Sequence, residues 1–491
     1  MHVAPVESTL VSCSAPSRSP PARQLYFALL GEKAERLGQV DELTRSASRS
    51  FLATLLDKAA TLDSDVPTDA RSLPAWLDDS HRRTAGAYRR YLDERRDGAP
   101  RRFFGNRSHA LHFIEAVAPT KLVDGAWLYG LLPNWREQRL APLIRTYLEE
   151  LGDGLPHRNH VLLYRQLLAR HGLNAWQARP DANFVQGAVQ LCLAHHADEF
   201  LPEIIGFNLG YEQLPLHLPI TAYELNELGI DPYYFTLHVT IDNASTGHAR
   251  KALQCAIDCM PRHGDSAAFY RRLANGVRLN EIGMGTREAI AAFDLDAELL
   301  RVLAAKASVG AMLHSDYCRI GGRTVSDWLG TPDRLPEFLA TMQSSGWIAR
   351  GRPAQESRFW RLMTDARAPM FGVFDTAELQ LLEDWIVDDR DAGSGSRPVD
   401  HFRRQRAQDE LPASKPAPPE GASVRAVVAH FLGDTPTAGH DPDIRRLAER
   451  LAGASTRAQV MEILGGLVSP ANHPTPAGLV ATRLFSHLLG R

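Results

Sequence analysis

The chain has 491 residues, 44% of them hydrophobic and 23% charged, with a formal net charge of −3. Those proportions suit a folded protein of two or three domains of about 100–200 residues each. They exclude a global basic field that would recruit nucleic acid or an anionic membrane surface, and no apolar run approaches the roughly 18 residues of a membrane span.

Residues 1–25 (MHVAPVESTLVSCSAPSRSPPARQL) are rich in Pro, Ser and small residues and carry no apolar signal core, so a disordered leader is expected. Cys13, Cys192, Cys255, Cys259 and Cys318 are scattered rather than arranged as a disulfide framework, which points to a reducing compartment and a cytoplasmic protein. Cys255 and Cys259 stand four apart without a second pair and read as two buried thiols on one helix rather than a zinc site. Long stretches repeat with helical spacing and almost none alternate with period two, so the fold class is all-α. Residues 26–104 read as a helical preface (LYFALLGEKAERL, SFLATLLDKAATL, AYRRYLDERR), and residues 105–265 as a run of strongly apolar helices. Residues 266–390 continue as helices with turns, 391–423 are a Pro-, Ser- and charge-rich linker or long loop, and 424–491 form a small helical region.

Chemistry concentrates in the 105–265 segment. In HVTIDNASTGH, residues 238–248, His238 and Asp242 lie one helical turn apart, offset by about 40°, so both can face one ion. His248 falls about 120° from Asp242 in a regular helix and comes into line only if the turn through Ser245, Thr246 and Gly247 tightens towards three residues per turn. A capping aspartate with two satisfied histidines is the plain alternative. Glu150 follows Leu143 and Tyr147 on the apolar stripe of its helix, where a carboxylate is costly unless paired, protonated or bound to a metal. Ten residues on stands His160, with His157 a nearby competitor. Glu203, in HADEFLPEIIGFNLG, again sits in apolar company, while Glu199 one turn earlier is expected to face solvent. Taken singly, each Glu could equally be a surface or capping carboxylate. Together, three helices offering Glu150, His160, Glu203, His238, Asp242 and His248 suit a pair of non-haem iron ions, since carboxylates bridge metals and imidazole suits iron. On ligand type alone, zinc stays open.

Several motifs resemble the haem-oxygenase-like di-iron oxidases, or iron-containing redox enzymes: DGAWLYG (124–130), ELGDG to NH (150–160), FLPEIIGFNLGYE (200–212) and HVTIDNASTGH (238–248). The likeness continues through IGGR (320–323), GWIARG (346–351), ESRFW (356–360) and PMFGVFDTAE (369–378), covering roughly residues 105–385. The resemblance implies a haem-oxygenase-like bundle of about seven helices, with further helical regions at both ends. It also implies two Fe(2+) per chain held by Glu150 and His160, then Glu203, then His238 and Asp242. Many relatives place a third ligand, His, three residues after the Asp; here Ser245 stands there, and His248 is the nearest histidine. The implied activity is O2-dependent oxidation of a small molecule, by N-oxygenation or by oxidative decarboxylation or carbon–carbon cleavage, in secondary metabolism. A homodimer stays open.

Two readings of other classes compete. One is a metal-free enzyme of the same fold, which would use a cysteine or a lone carboxylate, with Cys192 the nearby candidate. The other is a helical interaction protein that has lost its chemistry. Arginine-rich stretches such as RRYLDERR (89–96) interleave with acids and read as solvated helix faces, so neither nucleic acid nor membrane is an expected partner. Trp127, Tyr147 and Phe207 are candidates for shielding the site from water, beside a plain core role.

Overall fold

The computed structural model describes residues 20–31, 40–241, 247–314, 317–388, 424–433 and 441–490, together with Phe402. Residues 1–19 of the expected leader, and residues 391–423 of the expected linker apart from Phe402, lie outside the described residues. The all-α class holds. Among the described residues the only strands are Arg319–Ile320 and Arg323–Thr324, an antiparallel ribbon pairing Arg319 with Thr324 and Ile320 with Arg323. No helix among them is long and apolar enough to cross a membrane.

In chain order the helices begin with α1 (Ala22–Leu30), which starts inside the expected leader, α2 (Glu42–Ala59) and α3 (Leu73–Arg96). The central run is α4 (Arg107–Ala116), α5 (Ala118–Lys121), α6 (Ala141–Glu150), α7 (His160–Arg170), α8 (Val185–His195), α9 (Leu201–Tyr211), α10 (His217–Glu227), α11 (Tyr233–Ile241) and α12 (His248–Cys259). It is followed by α13 (Ser266–Arg278), α14 (Thr286–Ala291) and α15 (Leu295–Leu313). Several starts are written in the sequence. Asn106, Asn159, Asp265 and Asp294 each accept a hydrogen bond from a backbone N–H of the first turn of α4, α7, α13 and α15, satisfying a donor that the helix itself leaves unpaired.

Three apolar cores organise these helices. The first joins α1 and α2 to α6, α8, α9, α12 and α13, and takes in the C-terminal helices Val424–Gly433, Pro442–Ala452, Arg457–Leu467 and Pro476–Leu489. The second packs α4, α5, α7, α10, α11 and α14 around Phe113, Tyr164, Leu225 and Phe235. The third begins with α15 and runs to Ile386, around Trp328, Leu382 and Trp385. Thus α13, within the stretch read as an extension, lies in the first core with α9.

Polar contacts fasten the outer parts to the centre. On the C-terminal side, the Tyr147 hydroxyl donates to the Val468 carbonyl (2.5 Å), Arg145 donates to Ser486 Oγ (2.7 Å), and Asn159 Nδ2 donates to His473 Nδ1 (3.0 Å). The third core is tied to α4 by Asp384, which accepts from the Ser108 backbone (2.7 Å), and by Glu298, 3.4 Å from the His112 ring. Burial would raise the Glu298 carboxyl, but hydrogen bonds from His112 and Arg301 outweigh it and hold the group down at about 2.

Two outcomes follow. Phe485, fully buried among the C-terminal helices, is part of the first core. Phe485→Ala therefore destabilises by about 3–5 kcal/mol and shifts the main urea transition rather than an early separate one, as read by circular dichroism. For Glu298, a depressed folded pKa means a contribution present above the unfolded value of about 4.3 and lost as pH falls towards 2. Hydrogen exchange in α15, corrected for intrinsic rate, rises between pH 5 and pH 3 in the native chain and changes less in Glu298→Gln.

Candidate metal centre

α6 ends in two consecutive carboxylates, Glu149 and Glu150. Its apolar residues Leu143, Ile144, Tyr147 and Leu148 are buried, and Glu150, one turn beyond Tyr147, is drawn in with them to 2% exposure. The chain then reverses through Gly152, Asp153 and Gly154, all with positive φ. A Cβ on Gly152 would stand 2.4 Å from the Arg158 carbonyl carbon, so only glycine lets the turn close this tightly. The reversal returns the chain to Asn159, which caps α7, and sets His160 at the head of that helix against the end of α6. A second close approach brings Asp124. Gly125, at φ 79°, lies so near α6 that a Cβ there would be 2.9 Å from the Glu150 Cβ. Glu212 arrives just past the end of α9, His238 from α11 and His248 as the first residue of α12.

The result is two buried groups that share one carboxylate. Asp124, Glu150, His160 and His238 place ligand-type atoms within 4.8 Å of one another, and so do Glu150, Glu212 and His248. In the first group His160 Nδ1 touches Glu150 Oε2 and lies 3.5 Å from Asp124 Oδ2, while His238 Nε2 lies 3.1 Å from the same Asp124 oxygen. His238 Nδ1 donates to the Tyr234 carbonyl (2.8 Å), which leaves Nε2 as the inward nitrogen. Asp124 also accepts from the Tyr211 hydroxyl (3.0 Å) and the Tyr234 hydroxyl (2.7 Å). In the second group His248 Nδ1 lies 3.0 Å from Glu150 Oε1 and 3.3 Å from Glu212 Oε2. Its Nε2 meets Glu149 Oε2 at 2.9 Å.

Burial by itself would neutralise these groups, and their mutual attraction prevents it. Burial pushes Glu150 up, but His160 and His248 outweigh it and hold the carboxyl well below the usual range. Asp124 is likewise held far down, against burial, by Lys121, His160 and His238. Burial would lower His160, yet Glu150 and Asp124 raise it to about 10. His248 is raised in the same way by Glu212, Glu149 and Glu150. The carboxylates thus give the pocket a negative potential that favours the protonated form of His160 and His248. Among the described residues, Glu212 Oε1 is a buried acceptor without a hydrogen-bond partner. Carboxylate oxygens, imidazole nitrogens and an orphaned buried acceptor are the donor set that divalent iron takes, so the residues fit such an ion.

Of the residues expected from the sequence, Glu150, His160, His238 and His248 are brought together. Asp242 lies outside the described residues. Glu203 is a correction: the structure does not bring it to the cluster. Its carboxylate is gripped by Arg272 of α13, with Nε donating to Oε1 (2.6 Å) and Nη2 to Oε2 (2.7 Å). Nine residues at about 100° put Glu212 half a turn round from Glu203, so the two acids of this segment face opposite ways. Of the turn on which the expected alignment of His248 depends, Ser245 and Thr246 lie outside the described residues. Gly247 is extended (φ −66°, ψ 174°) and His248 opens a new helix, so the phase of α11 does not govern its direction. His157 is exposed, which leaves His160 as the inward ring. Asp124 and Glu212 were missed. Asp124 is the one acid in the apolar stretch KLVDGAWLYGLL, the same signal that singled out Glu150. Of the three candidate shields, Trp127 donates to Asn208 Oδ1 (2.9 Å) and stands edge-on to Phe207, both in the first core with Tyr147.

Alanine at Glu212 and at Glu203 should therefore differ. Glu212→Ala lowers the bound metal per chain by half or more in elemental analysis, because its group loses one of three ligand-type residues. Glu203→Ala leaves metal content near the native level and lowers stability by about 1–3 kcal/mol, since it removes a buried carboxylate from a half-exposed Arg272. Equal metal loss in both variants would undo this assignment.

Compared with curated proteins and with solved structures, the chain matches none. Every residue of the two buried groups lies inside the one family match. The resemblance read from the sequence stands: residues 111–280 match the family described as iron-containing redox enzyme.

Proposed function

We propose that the protein is a non-haem di-iron enzyme that uses O2 to oxidise a small molecule, by N-oxygenation or by oxidative carbon–carbon cleavage or decarboxylation, in secondary metabolism. The observation that carries this reading is that Glu150 belongs to both buried groups, one oxygen facing His160 and the other His248. A carboxylate so placed is suited to bridge two ions. Asp124, His160 and His238 would hold one Fe(2+), and Glu212 and His248 the other. Asp242 is retained as a ligand from the sequence pattern, and Glu212 takes the place first given to Glu203. Ferrous iron held there supplies the electrons that reduce O2 to an oxidant.

The chain's own groups have separable tasks. Tyr211 and Tyr234 donate to Asp124 and fix its two oxygens, while Lys121 donates to the Tyr211 hydroxyl (2.9 Å) and carries positive charge to that edge. Trp127 and Phe207, fully buried beside Tyr211, keep water from that side. The metal-free alternative gains nothing from Cys192, which is buried in the first core with its thiol pushed up by desolvation. A cytoplasmic location is part of the reading and rests on cysteine usage, Cys192, Cys255, Cys259 and Cys318 all being free thiols.

The test is anaerobic loading with Fe(2+), metal counting, and stopped-flow spectra on mixing with O2. About two irons per chain, oxygen consumption and a transient visible band are expected. A chain that takes up no iron, or that consumes no O2 when loaded, would end this reading.

A further inference from the structure

We propose that Glu149 is the positioning residue for His248, holding that ring so that Nδ1 faces the second ion; this rests on the two-iron reading above. The two nitrogens of His248 have divided surroundings. Nδ1 looks inward at Glu150 Oε1 (3.0 Å) and Glu212 Oε2 (3.3 Å), and Nε2 looks outward at Glu149 Oε2 (2.9 Å). An Nε2–H donated to Glu149 fixes the tautomer, leaves the Nδ1 lone pair for a metal and makes the ring a stronger donor.

His248 needs such a hold more than its counterpart does. His238 is oriented from within its own helix, where Nδ1 donates to the carbonyl one turn back. His248 is the first residue of α12, after an extended Gly247, so its ring is not oriented from one turn back in its own helix. The hold comes instead from α6, where consecutive residues face different ways: Glu150 inward at 2% side-chain exposure and Glu149 at the rim at 29%. Glu149 is itself steadied by Lys251 of α12 and by Arg145, whose Nε lies 3.3 Å away. One rim carboxylate therefore ties α6 to α12 beside the centre, and one ring of α12 is held between both final residues of α6.

The experiment titrates Mn(2+), an oxygen-stable ion, into metal-free native protein and into Glu149→Ala, Glu149→Gln and Lys251→Ala, followed by metal counting and electron paramagnetic resonance. Native protein binds two ions and gives an exchange-coupled signal. Glu149→Ala weakens one of the two ions by about 10–100-fold, leaves the other unchanged, and shows the uncoupled spectrum of a single ion where native protein is coupled. Glu149→Gln, which keeps an acceptor oxygen for Nε2–H, recovers most of the affinity. Lys251→Ala, which removes the ion pair but not the acceptor, stays within a few-fold of native. The proposal falls if Glu149→Ala binds both ions as native protein does, or if Lys251→Ala matches its loss, since the ion pair alone would then be what matters. If native protein itself never binds a second ion, the two-iron reading fails first, a result distinct from either.

Discussion

The buried carboxylate of Glu150 is the constraint on which the centre of this fold depends. Transferring an ionised carboxylate from water to an apolar interior costs several kcal/mol even after relaxation, and Asp124 and Glu212 incur the same penalty beside it. The rings of His160, His238 and His248 offset it, helped at Asp124 by Lys121 and the Tyr211 and Tyr234 hydroxyls. The acids in turn raise the pKa of His160 and His248 against burial. A divalent cation answers the same charge with less reorganisation, because the oxygens and nitrogens already converge and Glu212 Oε1 there lacks a hydrogen-bond partner.

The same physics explains what the sequence disclosed and what it hid. An acid on an apolar stripe announces that something must neutralise it, which identified Glu150 and flagged Glu203. Identifying the neutralising partner requires the tertiary structure. For Glu150 the partners are rings from α7 and α12; for Glu203 the partner is Arg272, sixty-nine residues on in the chain. The i, i+4 geometry of a single helix paired His238 with Asp242, of which the structure describes only His238, while His160 is returned to α6 by the turn through Gly152 to Gly154. His248 could not be placed by helical phase, because a helix boundary at Gly247 resets the phase. Asp124 stood in plain view in an apolar segment, but no local pattern says that Gly125 lets its backbone approach α6.

The C-terminal helices were the least legible part. Read alone, residues 424–491 are a short amphipathic appendix. In the structure they complete the first core and press on the elements that carry the site: Tyr147 donates to Val468, Arg145 to Ser486 and Asn159 to His473. Asn159 caps α7 with its oxygen while its amide nitrogen reaches the C-terminal helices, so one side chain couples that region to the residue immediately before His160. Contacts separated by more than three hundred residues leave no periodic trace in a sequence.

The position of the centre follows from the way the cores divide. α6, α9 and α12, which bring Glu150, Glu212 and His248, have their apolar faces in the first core. α7 and α11, which bring His160 and His238, have theirs in the second. Asp124 directly follows Leu122 of the second core and Val123 of the first. The polar cluster therefore lies along the boundary between the two cores, where Trp176 packs against both as well. A seam of apolar residues would have merged the two cores into one and left no ligands. A seam of unpaired acids would have driven them apart. Alternating acid and imidazole across the boundary ties the halves beside Trp176 and Asn183 in a form that a metal can tighten, so the binding site is also part of the joint of the fold.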